Sequence, residues 1–214
     1  MKYLFSALLL VFTYSLLAQR YMDTHDPKDQ EIKSLLSREN DLNGFGGADL
    51  KVTDIFKERA LIVGGYGGVL INRNYMLGIA GYGIATNPEF DGILQDGSEK
   101  KLTIHGGYGG LLIGATILGK EVVHLSIPVV LGAGSVQVTD EDFFQNSTDT
   151  DFTIESSTFF VVEPAAELEF NITRTIRLAA GASYRYIRAV ELDNLTDDNL
   201  TDWTGMLSLR FGRF

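Results

Sequence analysis

From Asn43 onward the chain alternates between apolar stretches, rich in β-branched and aromatic residues, and short polar breaks. This pattern is typical of β-strands joined by turns. The candidate strands span residues 44–56, 59–72, 75–87, 100–118, 121–138, 157–172, 175–189 and 203–214. Several of them exceed the ~9–11 residues that a tilted strand needs to cross a bilayer. The sequence therefore predicts an all-β domain over residues 43–214.

The predicted connections alternate in length. Tight turns are expected at 72–74, 119–120 and 173–175, and long polar loops at 88–99, 139–156 and 190–202. The connection near Lys57 and Glu58 departs from this rule, because it is short where a long one is expected. Sorting of short turns and long loops to opposite ends is typical of transmembrane barrels, in which the short turns face the periplasm. We therefore predict an eight-stranded antiparallel up-and-down transmembrane β-barrel with short periplasmic turns and long acidic outer loops.

Period-two alternation in the seventh candidate strand separates an apolar face from a charged face. Tyr184 and Tyr186 end the apolar face, whereas Arg177 and Arg185 lie on the other. A charge that faces lipid at the bilayer midplane costs about 2–4 kcal/mol, so the charged face is assigned to the lumen. The two tyrosines are then predicted to belong to the outer aromatic girdle.

The same alternation predicts an ion-pair network in the lumen. Its predicted members are Asp49, Lys51, Glu163, Glu167, Glu169, Arg177, Arg185 and Arg210. Eight strands enclose an interior that is only wide enough for side chains, so we expect a polar, ion-paired lumen without an open pore. A metal site or a catalytic acid site is the alternative interpretation of the three glutamates. The faces of the Gly-rich second to fourth strands cannot be assigned from the sequence.

The beginning of the chain has the pattern of a secretory signal peptide. Lys2 precedes an apolar stretch that ends near Ala18, and this stretch is shorter than the ~20 residues of a transmembrane helix. We predict a signal peptide over residues 1–19, with an uncleaved anchor as the alternative. Residues 20–42 are predicted to form a polar leader, in which Asp26 and Pro27 mark the start of a short helix.

Composition narrows the function classes. The chain contains no cysteine, which excludes disulfides, thiolate metal sites and cysteine nucleophiles. Its formal net charge of −10 argues against nucleic-acid binding. The acidic residues of the predicted loops suit a surface of divalent cations and anionic lipopolysaccharide, but the solubility of exposed loops is the favoured explanation over specific cation binding. No cofactor is expected.

One short motif invites an enzymatic interpretation. His124-Leu125-Ser126 resembles the His-x-Ser pair of lipid A deacylases, and side chains two apart on a strand share a face. We do not assign catalysis to it. His124 follows a tight turn, opposite the leaflet that holds lipid A, and Glu121 is the one acid close to it in sequence. The sequence therefore predicts a protein that is not an enzyme and has no catalytic residues.

The Gly-rich strands contain an internal repeat. Gly64-Gly65-Tyr66-Gly67-Gly68-Val69-Leu70-Ile71 recurs, one hairpin and loop later, as Gly106-Gly107-Tyr108-Gly109-Gly110-Leu111-Leu112-Ile113. The repeat lacks the lysine and the helix start of a phosphate-binding loop. It is instead expected to make the second and fourth strands equivalent and to give room to large side chains opposite.

Several segments resemble the small outer-membrane barrels of Bacteroidetes-type bacteria, which have an OmpX/OmpW-like architecture. The segments are Gly44-Phe45-Gly46-Gly47, Val63-Gly64-Gly65-Tyr66-Gly67-Gly68, Phe159-Phe160-Val161-Val162-Glu163-Pro164, Gly181-Ala182-Ser183-Tyr184-Arg185-Tyr186 and Leu209-Arg210-Phe211-Gly212-Arg213-Phe214. The resemblance covers residues 44–214 and implies a location in the outer membrane of a Gram-negative cell envelope. It also implies that Phe214 is the signal for the barrel-assembly machinery, although Phe214 falls out of register with the apolar face that contains Phe211.

Three hypotheses for function remain. The first is a closed barrel that stabilises the envelope or presents its acidic loops to a surface partner. The second is a narrow channel for small solutes. The third is a soluble, secreted lipocalin-like carrier with an apolar lumen and a polar exterior.

Overall fold

The structure, a computed structural model, describes residues 41–93, 99–119, 121–140, 153–192 and 195–214. The predicted signal peptide and nearly all of the predicted leader lie outside the described residues, as do Lys120 and most of the predicted loop at 139–156. No helix in the described ranges is long and apolar enough to cross a membrane.

The described residues form nine β-strands and one short helix. In chain order these are β1 (Leu42–Ile55), β2 (Glu58–Ile71), β3 (Tyr75–Ile84), β4 (Glu89–Ile93), β5 (Glu99–Ile117), β6 (Val123–Asp140), β7 (Thr153–Asn171), β8 (Ile176–Arg188), α1 (Asp197–Leu200) and β9 (Asp202–Gly212). Most boundaries fall within a few residues of those that the hydrophobic pattern predicts.

The strands form one antiparallel sheet that closes on itself. Each strand from β5 to β9 pairs with the next, β9 pairs with β1, and β1 to β3 continue the wall. Pairing of β3 with β5, from Gly83 opposite Gly107 to Tyr75 opposite Ala115, completes the closure. The predicted eight-stranded up-and-down barrel is confirmed, since β3 and β4 share one of the eight positions in the wall.

The break between β3 and β4 corrects the predicted third strand. The sequence predicted one strand over 75–87 followed by a loop, but β3 ends at Ile84 and β4 forms inside the predicted loop. The last backbone bond from this strand to β2 is donated by Ala85 N to Leu61 O, at 2.8 Å. Pro88 follows, and a proline has no N–H to continue a ladder. Beyond it, β4 pairs with β5 alone.

The connections lie at two ends of the barrel, here called the turn end and the loop end. Residues 72–74, 118–122 and 172–175 connect strands at the turn end. At the loop end, β1 turns into β2 through Phe56 and Lys57, which both have positive φ angles, of 53° and 66°. This geometry matches the right-handed twist of the flanking strands, which explains why this connection alone among the described loop-end connections is so short. The helix α1 lies in the predicted loop at 190–202.

Tyrosines fill the interior beside the Gly-rich strands, whose faces the sequence left unassigned. Tyr66 from β2, Tyr82 from β3 and Tyr108 from β5 all point inward. The ring of Tyr82 lies against Gly64, where a Cβ atom would overlap both that ring and the carbonyl oxygen of Gly81. Glycine is therefore required at Gly64 by the tyrosine beside it, in agreement with the room that the repeat was expected to supply.

Gly64→Ala is expected to lower the free energy of unfolding by about 1–3 kcal/mol, because the added methyl group overpacks the interior. The measurement is urea unfolding of the purified, folded protein. Gly81→Ala is the matched control, since a Cβ atom there would have no neighbour within 4 Å. Equal stability of the two variants would contradict the assignment of inward and outward glycines.

Candidate functional site in the barrel interior

The candidate site is the set of ionisable side chains inside the barrel. All eight members of the predicted network lie there, and none is more than 4 % exposed. Four are acidic and four are basic, so their formal charges balance. Balance matters because a buried charge without a partner costs several kcal/mol. The acids come mainly from β7, and the bases come from β8, β9 and β1.

Glu169 lies at the centre of a cluster near the turn end. Its carboxylate accepts a hydrogen bond from Arg177 Nη1 at 3.1 Å and lies 2.7 Å from His124 Nε2. Arg210 reaches the same cluster from β9 and contacts both Glu167 and Glu169. These contacts join four neighbouring strands, because Glu169 is directly opposite His124 on β6 and Ala179 on β8.

A second cluster crosses the barrel at mid-height. Lys51 Nζ on β1 lies 2.9 Å from Glu163 Oε1 on β7, and both side chains are almost fully buried. Tyr108 and Ser183 each donate a hydrogen bond of 2.6 Å to the same carboxylate. The ammonium group also lies 3.5 Å from the centroid of the Tyr82 ring. Glu163 thus has three donors, which compensates the loss of water around its charge.

The three interior tyrosines belong to the site, although the sequence analysis did not assign them to it. Tyr66 accepts a 2.6 Å hydrogen bond from Arg210 Nε, and Tyr82 donates one of 2.8 Å to Asp49. With Tyr108 on Glu163, each tyrosine hydroxyl group is hydrogen-bonded to at least one charged member of the network. The signal was present in the sequence, since Tyr66 and Tyr108 occupy equivalent positions of the Gly-Gly-Tyr-Gly-Gly repeat.

Two predicted members of the network have neutral partners. Asp49 accepts hydrogen bonds from Tyr82 and Ser208, and it makes no ion pair within the described residues. Arg185 donates to the carbonyl oxygen of Leu200 at 2.9 Å and to Thr53 Oγ1 at 3.4 Å, again without an ion pair in that part of the chain. Both side chains are inside the barrel, but they extend the network through hydrogen bonds.

The expectation of a lumen that is polar throughout is wrong at the loop end. Above Arg185 most of the buried side chains are apolar. These apolar side chains are Ile55, Ile62, Ile104, Val136, Phe159, Val161, Ile187, Leu195 and Leu200. Leu195 and Leu200 lie in the β8–β9 connection, where Thr196 N donates to Asn199 Oδ1 at 2.9 Å across the start of α1. This loop therefore folds inward and seals the barrel with aliphatic side chains.

His124 and Ser126 do share a face, but this face is the packed interior. Both are buried, and Arg210 Nη1 donates to Ser126 Oγ at 3.3 Å. The two ring nitrogens of His124 contact Glu169 and the backbone carbonyl of Glu121. Glu121 is the acid close to His124 in sequence, but in space the carboxylate of Glu169, from the neighbouring strand, also lies beside the histidine. The histidine is held by these partners and makes no hydrogen bond to the serine.

The interior offers little space for a substrate or a metal. Two cavities inside the barrel have volumes of about 20 Å³ each, about the space of a single water molecule. In the described part of the chain, no three His, Asp or Glu side chains are grouped so that they could hold a metal ion. Glu163, Glu167 and Glu169 are instead paired with cationic side chains, as the predicted ion-pair network requires.

The remaining predicted site residues lie at the edges of the barrel. Tyr184 and Tyr186 are on β8 near the loop end, with the Tyr184 ring 5.2 Å from that of Trp203. Phe214 follows the end of β9, and its ring lies 3.8 Å from the guanidinium carbon of Arg177. The strand ends at Gly212, and the ring of Phe214 packs on the interior side, whereas Phe211 is exposed on the outer wall.

Lys51→Met is expected to lower the free energy of unfolding by about 3–5 kcal/mol, because it leaves the Glu163 carboxylate buried without its cation. In the double variant Lys51→Met/Glu163→Gln the loss should be smaller, since no uncompensated charge remains. The measurement is a double-mutant cycle of urea unfolding, completed by Glu163→Gln. Additive effects of the two substitutions would show that the pair is not coupled.

Comparison with known proteins finds similarity in structure alone. No known protein family matches the sequence, and no characterised protein matches it. Neisserial surface protein A is similar with 15 % identity and a TM-score of 0.49, covering 82 % of this chain and 99 % of that one. The N-terminal β-barrel domain of Pseudomonas aeruginosa OprF has 14 % identity and a TM-score of 0.44, covering 78 % and 96 %. Ail, the attachment invasion locus protein of Yersinia pestis, has 16 % identity and a TM-score of 0.41, covering 80 % and 97 %.

Proposed function

We propose that the protein is a non-enzymatic barrel of the outer membrane of a Gram-negative bacterium, with a sealed interior and a role at the cell surface. The observation that carries this proposal is the reversed polarity of the wall. Charged side chains fill the interior, whereas exposed apolar side chains cover the exterior. The exterior residues include Leu50, Val52, Val63, Val69, Leu77, Ile79, Leu111, Ile127, Leu131, Val162, Leu168, Phe170, Leu178, Leu207, Leu209 and Phe211.

This polarity favours a membrane over water as the surrounding medium. Every one of the eight wall positions contributes exposed apolar side chains, so the apolar surface forms a belt. Soluble monomers rarely expose contiguous apolar patches larger than a few hundred Å². A lipocalin-like carrier would need the opposite arrangement, with charges outside and space for an apolar ligand inside. The belt fits the outward-facing apolar band of a membrane barrel.

In this orientation the turn end faces the periplasm and the loop end faces outward. Tyr184 and Trp203 near the loop end are then at the height of the outer aromatic girdle, together with Tyr186. Residues 1–19 would direct export as a signal peptide. The segment from Phe211 to Phe214 would be recognised by the barrel-assembly machinery.

The role at the cell surface follows from the loop end. The connections at 139–156 and 190–202 carry acidic residues and no lysine or arginine. An acidic rim suits contact with lipopolysaccharide through bridging divalent cations, and it can present the barrel to a surface partner. The interior would then serve stability, because its charged groups are held by ion pairs and hydrogen bonds with one another and with neutral neighbours.

A conducting channel is the less favoured function. Solutes would have to cross both the ion pairs of Lys51 and Glu163 and the apolar layer that includes Leu200. The ion pairs leave little room, and an apolar layer excludes water. The ion pairs and the apolar layer each block the interior, and this supports a structural or surface-interaction role.

Leu207→Arg is expected to destabilise the barrel in lipid bilayers by about 2–4 kcal/mol, since it places a charge on the lipid-facing wall. Thr158→Arg is the matched control, because Thr158 is exposed near the loop end of β7 and should tolerate the charge within about 0.5 kcal/mol. The measurement is urea unfolding in phosphatidylcholine vesicles, followed by the difference in gel mobility between boiled and unboiled samples. Equal stability of the two variants, or recovery of the wild type in a soluble fraction, would contradict the membrane location.

Purified protein in a planar bilayer is expected to give no current steps above the background of the empty membrane, because the interior is packed. A porin inserted into the same membrane controls for the sensitivity of the recording. Stable unitary conductance of the folded, unboiled species would overturn the sealed interior and make the channel the leading function.

A further inference from the structure

A cavity of about 720 Å³ opens at the turn end of the barrel. Its walls come from the β2–β3, β5–β6 and β7–β8 connections, together with the start of β8 and Phe214. Three of its lining residues are arginines, namely Arg73, Arg174 and Arg177, and no aspartate or glutamate is among the described residues that line it. The described lining side chains therefore include cations and no carboxylate, while Arg73 and Arg177 each pair with an acid outside the lining.

Cavities at the loop end have a different character. Two of them, of about 470 Å³ each, are lined by acids as well as by bases. One places Arg59 and Lys101 beside Glu58, Glu89 and Asp91. The other places Lys57 beside Asp54, Asp198 and Asp202. These two loop-end cavities are thus lined by acids, whereas the described lining of the turn-end cavity contains none.

Arg177 connects the cavity to the interior. Its side chain is 3 % exposed, its Nη1 donates to Glu169, and its Nε is buried without a hydrogen-bond partner in the described part of the chain. Leaving a buried charged donor unsatisfied costs free energy, which an acceptor inside the cavity would recover. The ring of Phe214 lies 3.8 Å from the guanidinium carbon and limits the directions from which such an acceptor can approach.

The two other arginines are at the rim. Arg73 pairs with Asp41 at 2.9 Å, and both side chains are about half exposed. Arg174 follows Thr173 in the β7–β8 connection and makes no ion pair with another described residue. A guanidinium group presents five N–H donors in a planar fork that matches phosphate oxygens. Arg174 and the Nε side of Arg177 therefore supply donors that no described acid occupies.

We propose that the turn-end cavity is a binding site for a phosphate-type oxyanion, held between Arg174 at the rim and Arg177 at the base. The phosphate group has two sources, namely free inorganic phosphate and the headgroup of a phospholipid in the adjacent leaflet. The headgroup source rests on the proposed membrane location, whereas binding of inorganic phosphate does not.

The test is calorimetric titration of inorganic phosphate into the full-length folded protein in a non-ionic detergent and a phosphate-free buffer. Saturable binding is expected. Arg177→Gln should weaken it roughly tenfold, as for a charge-assisted hydrogen bond, and Arg174→Gln about threefold, as for an exposed charge. Because Arg177 also holds Glu169, Arg174→Gln keeps the test independent of the folding of the interior.

Arg59→Gln is the matched control, since it removes an arginine that lines a cavity at the opposite end. This variant should bind phosphate as the wild type does. The proposal would be overturned if the wild type gave no saturable heat of binding. It would also be overturned if Arg59→Gln and Arg174→Gln weakened binding equally, because this would show that phosphate binds through overall charge alone.

Lipid nanodiscs then distinguish the two sources of the phosphate group. If a phospholipid headgroup fills the cavity, inorganic phosphate binds in detergent but is excluded from discs of phosphatidylcholine and of phosphatidylglycerol, because both headgroups carry a phosphate group. If free phosphate is the ligand, it binds in both kinds of disc as it does in detergent. Failure of these titrations would leave the unfolding test with Leu207→Arg unaffected, so the site and the membrane location can fail separately.

Discussion

Mutual neutralisation of the buried charges is the constraint on which the rest of the structure depends. A closed sheet of eight positions points every second side chain into a space that water cannot fill, and this chain places four acids and four bases there. Glu163 reaches Lys51 across the barrel, and Glu169 gathers Arg177 and Arg210. Each contact requires a fixed register between strands far apart in sequence. A slip by one residue would move the charges of a strand to the outer wall.

The Gly-rich strands of the barrel supply uncharged partners to the buried charges. The charged side chains come from β7, β8, β9 and β1, whereas β2, β3 and β5 contribute tyrosines whose hydroxyl groups reach across to them. A tyrosine spans much of a narrow interior only where the facing position is small, which explains the inward glycines such as Gly64. The glycine repeat therefore gives room to the tyrosines. The tyrosine hydroxyl groups in turn form hydrogen bonds with the charged side chains of the opposite wall.

Local pattern predicted the strands and several faces because period two is a property of each strand by itself. The alternation in β7 and β8 placed Glu163 and Arg177 inside without any knowledge of their partners. Partner choice is a property of register between strands, so the pairing of Glu169 with His124 and the neutral partners of Arg185 could not be derived in the same way. The strand β4 was missed because Pro88 and the acidic residues after it gave the segment the composition of a polar loop. The apolar layer under α1 was missed because Leu195 and Leu200 lie in a connection that composition marks as polar.

A sealed interior moves the question of function to the wall and the two ends. Lys51 pairs with Glu163, Arg210 pairs with Glu167, and the apolar layer closes the loop end, so these charged groups are not available to a solute. The outer wall carries exposed apolar side chains on every strand position. The ends differ from each other, since arginines without acids line the cavity at the turn end and acids accompany the bases at the loop end. A barrel with such ends presents two chemically distinct surfaces, one at each end. The length of the packed barrel sets the distance between the two end surfaces. The charges on each end surface determine what that surface can bind.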